Sequence, residues 1–385
     1  MRVVIIGAGQ GGLQAAMSLR QEGHDGPITL IGAEPGLPYQ RPPLSKAYLK
    51  EGDADKLTLR PAAFFDKNNI DLVQSTHVDG IDRAARQVRA GSQVWSYDHL
   101  ILATGTRNLH PPIEGIGRAL DLRTLEDARL LRDALRLRRR VAVIGGGFIG
   151  LEFAAVARSR GHDVTVAEAA PRLMSRVLSP EMSDRFLTMH RDMGTEIHLG
   201  QPVVEVGETG VHLAGGDRVA ADLVLVAAGV VPNTDLAASA GLEVANGVVV
   251  DAQLRTADPA ISALGDCAVF PDPHTHRPVR LESVQAATDH ARAIAKRLIK
   301  GVDAPYGAVP WFWSDQADWK LQIAGLAAPG NDSVLAENGA VYRFDKDRLT
   351  AVETINDART HMKARKLLAS GEPVSRAALA VALAG

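Results

Sequence analysis

Short apolar runs that end in glycine turns, each followed by a stretch of helical spacing, organise the chain up to about residue 300. Val3 to Ile6 is apolar throughout. It is followed by Gly7-Ala8-Gly9-Gln10-Gly11-Gly12, by a helical stretch from Leu13 to Glu22 and by a second apolar run from Ile28 to Ile31. A continuous apolar run of four residues suits a strand buried on both faces, so the order predicts a strand–helix–strand unit in a parallel sheet. The same order returns at Val141 to Ile144, Gly145-Gly146-Gly147-Phe148-Ile149-Gly150, Leu151 to Arg160 and Val164 to Val166. Each copy later reaches another apolar strand with a small-residue end, Leu100 to Gly105 in the first and Leu223 to Gly229 in the second. The chain therefore contains an internal repeat of a whole unit.

After the second copy, a helix is expected from about Val284 to Lys300. From Tyr306 the texture changes: Trp311, Phe312, Trp313 and Trp319 concentrate aromatics, and the apolar segments before Ala358 read as strands. His110-Pro111-Pro112 reads as an extended linker, because proline lacks a donor and disfavours helix in the residue before it. The fold class expected is α/β, with two Rossmann-like dinucleotide-binding domains and a smaller α+β C-terminal domain. Residues 1–109 with 236–308 form the first domain, 110–235 the second and 309–385 the third.

Composition adds mainly exclusions. With 46% hydrophobic and 23% charged residues and a formal net charge of -2, nothing points to nucleic acid. The longest apolar runs fall well short of the roughly 20 residues a membrane-spanning helix needs. Met1 to Ile6 enters a strand at once, without the pattern of a secretory leader, and a cytoplasmic location is expected. Cysteine is more informative. The single Cys267 excludes an intrachain disulfide, a redox cysteine pair and a four-cysteine iron–sulfur site on this chain, and it reads as a small buried residue beside a turn.

Gly7, Gly9 and Gly12 fit G-x-G-x-x-G, in which glycines permit a tight turn, close approach to a pyrophosphate and packing of the helix on the strand. The helix N-terminus then faces the phosphates. Glu34, 22 residues beyond Gly12, stands where a carboxylate accepts ribose hydroxyls. Gly145, Gly147 and Gly150 repeat the pattern, and Glu168 lies 18 residues beyond Gly150. A carboxylate there suits a 2′-hydroxyl and repels a 2′-phosphate, which favours NADH over NADPH. Arg172 nearby keeps the phosphate alternative open.

The segment Thr256-Ala257-Asp258-Pro259-Ala260-Ile261-Ser262-Ala263-Leu264-Gly265-Asp266 resembles the second FAD signature of the glutathione-reductase-like flavoproteins. That resemblance assigns FAD to the first fingerprint, NADH to the second, and Asp266 to the ribityl or pyrophosphate part of FAD. Within that superfamily the chain resembles the NADH-dependent ferredoxin reductases of oxygenase systems over essentially its full length. The resemblance is carried by Leu37-Pro38-Tyr39-Gln40-Arg41-Pro42-Pro43-Leu44-Ser45-Lys46, by Gly147-Phe148-Ile149-Gly150-Leu151-Glu152, and by Pro310-Trp311-Phe312-Trp313-Ser314-Asp315-Gln316. Val352-Glu353-Thr354-Ile355-Asn356 is also similar to the family, whereas Asp357-Ala358-Arg359 is less typical.

The resemblance implies that Arg41, Pro42, Thr104, Gly105 and Glu282 border FAD, and that Gly229 ends the matching strand of the NADH copy. It further implies that Lys46 lies beside the flavin ring, that Trp313 walls it, and that Glu152 sits near the nicotinamide and pairs with Lys46. A cation there stabilises the negative charge of reduced flavin, and an aromatic wall excludes water. The implied acceptor is a [2Fe–2S] ferredoxin feeding a cytochrome P450 or an aromatic-ring dioxygenase. An NADH oxidase or quinone-type reductase, or a redox binding protein similar to apoptosis-inducing factor, is the alternative. Arg292, Lys296, Arg297 and Lys300 fall at helical spacing and offer a cationic face to an acidic ferredoxin, which Lys363, Arg365 and Lys366 extend.

Overall fold

A computed structural model describes residues 1–379 other than His274 and His276. The chain forms two compact units: Met1–Gln40, Asp55–Arg107 and Val231–Ala308 make the first, and Arg41–Ala54, Asn108–Val230 and Val309–Gly385 the second.

The first unit is built on a five-stranded parallel sheet in the order Ile261–Ala263, His99–Leu102, Val3–Ile6, Ile28–Ile31 and Ile70–Val73. Val3–Ile6 is buried at all four positions, as a strand covered on both faces must be. The chain leaves it through Gly7, and the order of strands reverses around it, the place where open α/β sheets bind ligands at their carboxyl edge. The helix expected from Leu13 instead starts three residues earlier, at Gln10–Gln21. Its first glycines are helical because that turn packs against its surroundings: a Cβ on Gly11 would stand 2.5 Å from Leu264 Cδ1. The other helix over this sheet, Val284–Lys300, has the expected bounds, with Ser283 capping its start and Gly301 in the left-handed conformation ending it.

In the second unit the repeat returns as a four-stranded parallel sheet, ordered Glu196–Leu199, Asp163–Glu168, Arg140–Ile144 and Leu223–Val226. Its first helix, Phe148–Ser159, again starts three residues before the expected Leu151. The repetition also reaches further than the apolar pattern shows. A three-stranded antiparallel sheet precedes the last strand of each copy, at Gly80–Asp82, Gln87–Ala90 and Gln93–Ser96 in one and at Val203–Gly207, Gly210–Leu213 and Arg218–Ala220 in the other.

The aromatic C-terminal stretch forms a five-stranded antiparallel sheet, in the order Trp311–Gln316, Trp319–Gly325, Arg348–Ile355, Val341–Asp345 and Asp332–Leu335, with the helix Ala358–Ala369 packed on it. Its core includes Tyr342, Phe344, Leu349 and Val352. At Val352-Glu353-Thr354 the strand carries a buried charge: Glu353 meets the Arg343 guanidinium at 2.9 Å, with the two side chains 1% and 2% exposed.

Two histidines of the first unit tie stability to pH. Burial holds His99 and His290 neutral, with pKa values lowered to about 3. Their protonation is confined to the unfolded chain, so stability is full above about pH 6.5 and is lost as pH falls from there toward 3. At pH 5 each costs about 2 kcal/mol. His290 Nδ1 accepts the Gly265 N–H at 3.2 Å. His290→Asn keeps an acceptor there without titrating, and urea unfolding at pH 7 and pH 5 should show about 2 kcal/mol less acid destabilisation than the parent. An unchanged difference between the two pH values would remove His290 from this account.

Candidate functional site

Each fingerprint is a cradle shaped by what its glycines avoid. Gly7 and Gly145 both have φ of 109°, and a Cβ would stand 2.1 Å from the Ala103 carbonyl oxygen at Gly7 and 2.5 Å from that of Ala227 at Gly145. At the third glycine a Cβ would strike the carbonyl of the first, 1.8 Å away for Gly12 and 2.3 Å for Gly150. The middle glycines, Gly9 and Gly147, face open space instead. Both are helix N-caps with no side-chain cap and no acidic residue in the first turn. Among the described residues the four other helices of ten or more residues are all capped by a side chain, from Thr124, Ser179, Ser283 and Asp357. Uncapped N–H groups beside open space are what a pyrophosphate requires, so both cradles fit a dinucleotide.

Around the first cradle, Glu34 accepts the Tyr39 hydroxyl at 2.5 Å. Thr104 and Gly105 follow the strand His99–Leu102 beside Gly7; the Thr104 hydroxyl donates to the Asn233 carbonyl at 2.8 Å and Gly105 takes φ of 64°. Asp266 stands in the short turn Gly265–Cys267 after the strand Ile261–Ala263, at the same carboxyl edge as Gly7, and its carboxylate accepts the Thr106 hydroxyl at 3.3 Å. Arg280, not singled out from the sequence, joins two residues that were: it donates to the Asp266 carbonyl at 3.2 Å and pairs with Glu282 at 2.7 Å. Cys267 is fully buried, and burial pushes its thiol pKa up, as befits an inert core residue.

Around the second cradle, Glu168 ends its strand and folds back on the glycine turn, accepting the Gly146 N–H at 2.6 Å and the Ala170 N–H at 2.7 Å. Gly229, with φ of 113°, lies beside Arg176. Arg172 points elsewhere. Its guanidinium donates to the carbonyls of Ser175, Leu178 and Ser179 and, at 2.6 Å, to the Ser183 hydroxyl. Ser179 is in turn held by the buried Glu353 carboxylate, which accepts its N–H at 2.9 Å and its hydroxyl at 2.6 Å. The arginine that left a 2′-phosphate open is thus committed to its own loop.

Lys46, Glu152 and Trp313 all lie in the second unit, although Lys46 falls within the first domain expected from the sequence. The segment Arg41–Ala54 is fastened to this unit by the Arg41 guanidinium on the Arg123 carbonyl at 2.7 Å and by Arg160 on the Leu49 carbonyl at 2.6 Å. Pro42–Ser45 forms a single 3-10 turn that delivers Ser45 and Lys46 to the helix Phe148–Ser159. On that helix Phe148 and Glu152 share a face, four residues apart. On the strand Trp311–Gln316, Phe312 and Ser314 share a face, two residues apart. The two faces meet: the Phe148 and Phe312 rings are 4.7 Å apart, and the Ser314 hydroxyl donates to Glu152 at 2.7 Å.

Glu152 is 6% exposed, and its carboxylate also accepts the Ser45 hydroxyl at 2.5 Å and pairs with the Lys46 ammonium at 3.1 Å. Burial pushes its pKa up, and Lys46 and the two hydroxyls oppose the rise. Lys46 reaches Asp315 as well, at 3.6 Å. Trp313, on the strand face shared with Asp315, sets its ring 5.5 Å from that of Trp311. Ser45, Ser314, Asp315 and Gln316 lie within segments quoted for their resemblance but were given no role. For Ser314 and Gln316 the sequence signal is the alternation that places them with Phe312 on one strand face; Ser45 and Asp315 have no such signal.

The cationic helix face differs from expectation at one position. Arg292, Lys296 and Lys300 are exposed, whereas Arg297 is turned against the sheet and donates to the Ser262 hydroxyl at 2.6 Å, burial bringing its pKa down to about 10. Position 297 sits one residue past 296 on a 3.6-residue turn, far enough round to face Ser262. Arg292 forms an exposed pair with Asp289 at 3.3 Å, the kind of contact that contributes little.

Residues 1–291 match the model of the pyridine nucleotide-disulphide oxidoreductase family, and residues 311–383 that of the reductase C-terminal family. Rhodocoxin reductase of Rhodococcus erythropolis is 47% identical, over 97% of this chain and 91% of its own. The crystal structure of the ferredoxin reductase for the CYP199A2 system from Rhodopseudomonas palustris superposes with a TM-score of 0.94 at 45% identity, covering 97% of this chain and 96% of that one. The reductase in the covalent putidaredoxin reductase–putidaredoxin complex gives 0.93 at 38% identity, with coverage of 97% and 94%. With both cradles in place and the C-terminal sheet matched in its turn, the chain belongs to the pyridine nucleotide-disulphide oxidoreductase family, in the form that ends in a reductase C-terminal domain.

Proposed function

We propose that the chain is a cytoplasmic FAD-dependent NADH:ferredoxin reductase, passing electrons to a [2Fe–2S] ferredoxin that supplies an oxygenase such as a cytochrome P450 or an aromatic-ring dioxygenase. The observation that carries this reading is the conjunction of two dinucleotide cradles with the Lys46–Glu152 pair. The chain's one cysteine is inert, which leaves no thiol route and suits a reducing compartment. The relatives named above are reductases of electron-carrier systems.

Bound FAD supplies the chemistry of accepting a hydride from NADH and releasing its electrons singly. In this reading Gly7, Gly9 and Gly12 hold its pyrophosphate, Glu34 its ribose, and Asp266 accepts hydroxyl donors at its ribityl or pyrophosphate part. Arg41, Pro42, Thr104, Gly105 and Glu282 border it. Lys46 offers a positive charge to the ring, and Trp313 keeps water from it. Gly145, Gly147, Gly150 and Gly229 form the NADH cradle, Glu168 accepts a ribose hydroxyl, and Glu152 holds Lys46 in place and orients the nicotinamide.

Glu168 together with the engaged Arg172 makes NADH the preferred donor. Glu168→Ala combined with Ala169→Arg removes the carboxylate and offers a free guanidinium on an exposed residue. The NADH to NADPH ratio of kcat/KM should fall by about tenfold to a hundredfold, the worth of a hydrogen bond to a charged group. A ratio equal to the parent's would take the ribose role from Glu168.

The acceptor is tested by steady-state rates with a [2Fe–2S] ferredoxin, oxygen and a small quinone. Ferredoxin should be reduced fastest at low salt, and reversing Lys296 and Lys300 to glutamate should slow that rate by about tenfold and flatten its salt dependence. Equal ferredoxin rates before and after reversal would exclude this helix as the docking face. A fastest rate with oxygen or quinone would replace the ferredoxin reading with the oxidase or quinone one.

A further inference from the structure

Beneath Glu152 a chain of polar side chains runs into the second unit, away from any solvent. Ser314, Gln316 and His190 are each fully buried. The Gln316 amide donates to the Ser314 hydroxyl at 3.2 Å and carries a second contact to Met174 Sδ at 3.6 Å, and its oxygen lies 2.8 Å from His190 Nε2. None of these groups is required by packing alone, since an apolar strand face could fill the same space, and an uncompensated polar group there would be costly.

The direction of the chain follows from its carboxylate end. Ionised Glu152 only accepts, so the single Ser314 proton is spent on it. Ser314 must then accept from Gln316, which turns the amide oxygen toward His190 and requires the proton of His190 to sit on Nε2. His190 Nδ1 has no hydrogen-bond partner among the described residues, consistent with a bare lone pair, and burial keeps the ring neutral by lowering its pKa. Every donor in the series points at Glu152, an arrangement in which each bond polarises the next.

We infer that His190, Gln316 and Ser314 act as a one-directional hydrogen-bond chain that fixes the Glu152 carboxylate in orientation and keeps it ionised, so that Gln316 and His190 are positioning residues for the nicotinamide step. This deepens the reading above and rests on its placement of Glu152 beside the nicotinamide. The groups that face Glu152 are Ser45 and Lys46 from the loop, Ser314 from the strand, with Asp315 acting through Lys46, and His190 from the helix Pro180–Asp192 through Gln316. Among these, only the chain from His190 supplies Glu152 with a hydroxyl whose own acceptor site is filled by a second donor.

The test uses the full-length flavoprotein and compares the parent with Ser314→Ala, Ser314→Thr, Gln316→Leu and Glu152→Gln. Two quantities are followed from about pH 5 to 9, a range that brackets the rise of a buried carboxyl: NAD⁺ affinity by calorimetry, and the rate at which NADH bleaches the flavin without oxygen. Losing the Ser314 donor should raise the acid limb of both profiles by about one pH unit, a tenfold change in the ionisation of Glu152. Gln316→Leu should shift it less in the same direction, Ser314→Thr should restore the parent profile, and Glu152→Gln should abolish the limb. Nitrogen NMR of the parent should show His190 neutral and protonated on Nε2 throughout.

If Ser314→Ala and Gln316→Leu keep the parent limb while Glu152→Gln removes it, the chain does not govern Glu152 and the inference is overturned. If Glu152→Gln keeps the limb, the placement of Glu152 beside the nicotinamide fails, and the inference with it. A His190 proton on Nδ1 reverses the chain and overturns the inference even where a variant fails to fold.

Discussion

Asp266→Ala is expected to purify as a nearly colourless protein. The carboxylate stands on a turn at the carboxyl edge of the first sheet, its backbone fixed by Arg280 on its carbonyl and by His290 on the preceding N–H, so removing it leaves the turn itself in place. In the proposed reading it accepts hydroxyl donors from FAD, and each hydrogen bond to a charged group contributes about 1.5–3 kcal/mol. Loss of one or two such bonds lowers affinity by about tenfold to ten-thousandfold, enough to empty the site through purification. Absorbance in the visible region reports the flavin, and far-ultraviolet circular dichroism reports the fold. Full yellow colour at parental affinity in the variant would end the assignment of Asp266 to FAD.

The second large effect is on stability. Arg343→Met should destabilise the second unit by about 3–5 kcal/mol, because it leaves the Glu353 carboxylate buried without its cation. The loss is not confined to the C-terminal sheet. Glu353 also holds the N–H and hydroxyl of Ser179, the N-cap of the helix Pro180–Asp192, and Ser179 closes the loop that engages Arg172. Removing both charges with Arg343→Met and Glu353→Leu should recover only part of the loss: an apolar pair avoids the desolvation of either ion, but Glu353→Leu leaves the buried N–H and hydroxyl of Ser179 without their acceptor. Denaturant unfolding of the single and double variants measures both terms. A single variant as stable as the parent would show that the pair contributes nothing.

These expectations draw on features the sequence exposes unevenly. The two fingerprints were legible because a glycine turn between an apolar run and a helical stretch is a local pattern, and the helix Val284–Lys300 has the bounds expected of it. The helix starts at Gln10 and Phe148 were read late, since glycines that pack a helix against its sheet look the same in sequence as glycines that make a turn. That the segment Arg41–Ala54 packs with the second unit depends on contacts such as Arg41 with Arg123 and Arg160 with Leu49, far apart in sequence and visible only once the chain is folded. Arg297 shows the limit of helical spacing as evidence: charge and period placed it on the cationic face, but one residue of rotation turned it onto Ser262. The surroundings of Glu152 combine both cases. Its pairing with Lys46 followed from resemblance, whereas the hydroxyl, amide and imidazole groups beneath it come from a strand and a helix distant in sequence.

In the proposed reading electrons pass from NADH through this chain to a separate carrier, and single-turnover mixing under anaerobic conditions follows that passage step by step. NADH is mixed with the flavin-loaded chain and then with an oxidised [2Fe–2S] ferredoxin, while flavin and cluster absorbance are followed together. NADH should bleach the flavin, and the colour should return as two equivalents of ferredoxin become reduced for each NADH consumed. A flavin that NADH reduces but that stays reduced before every ferredoxin offered, and reoxidises only when oxygen is admitted, would contradict that reading.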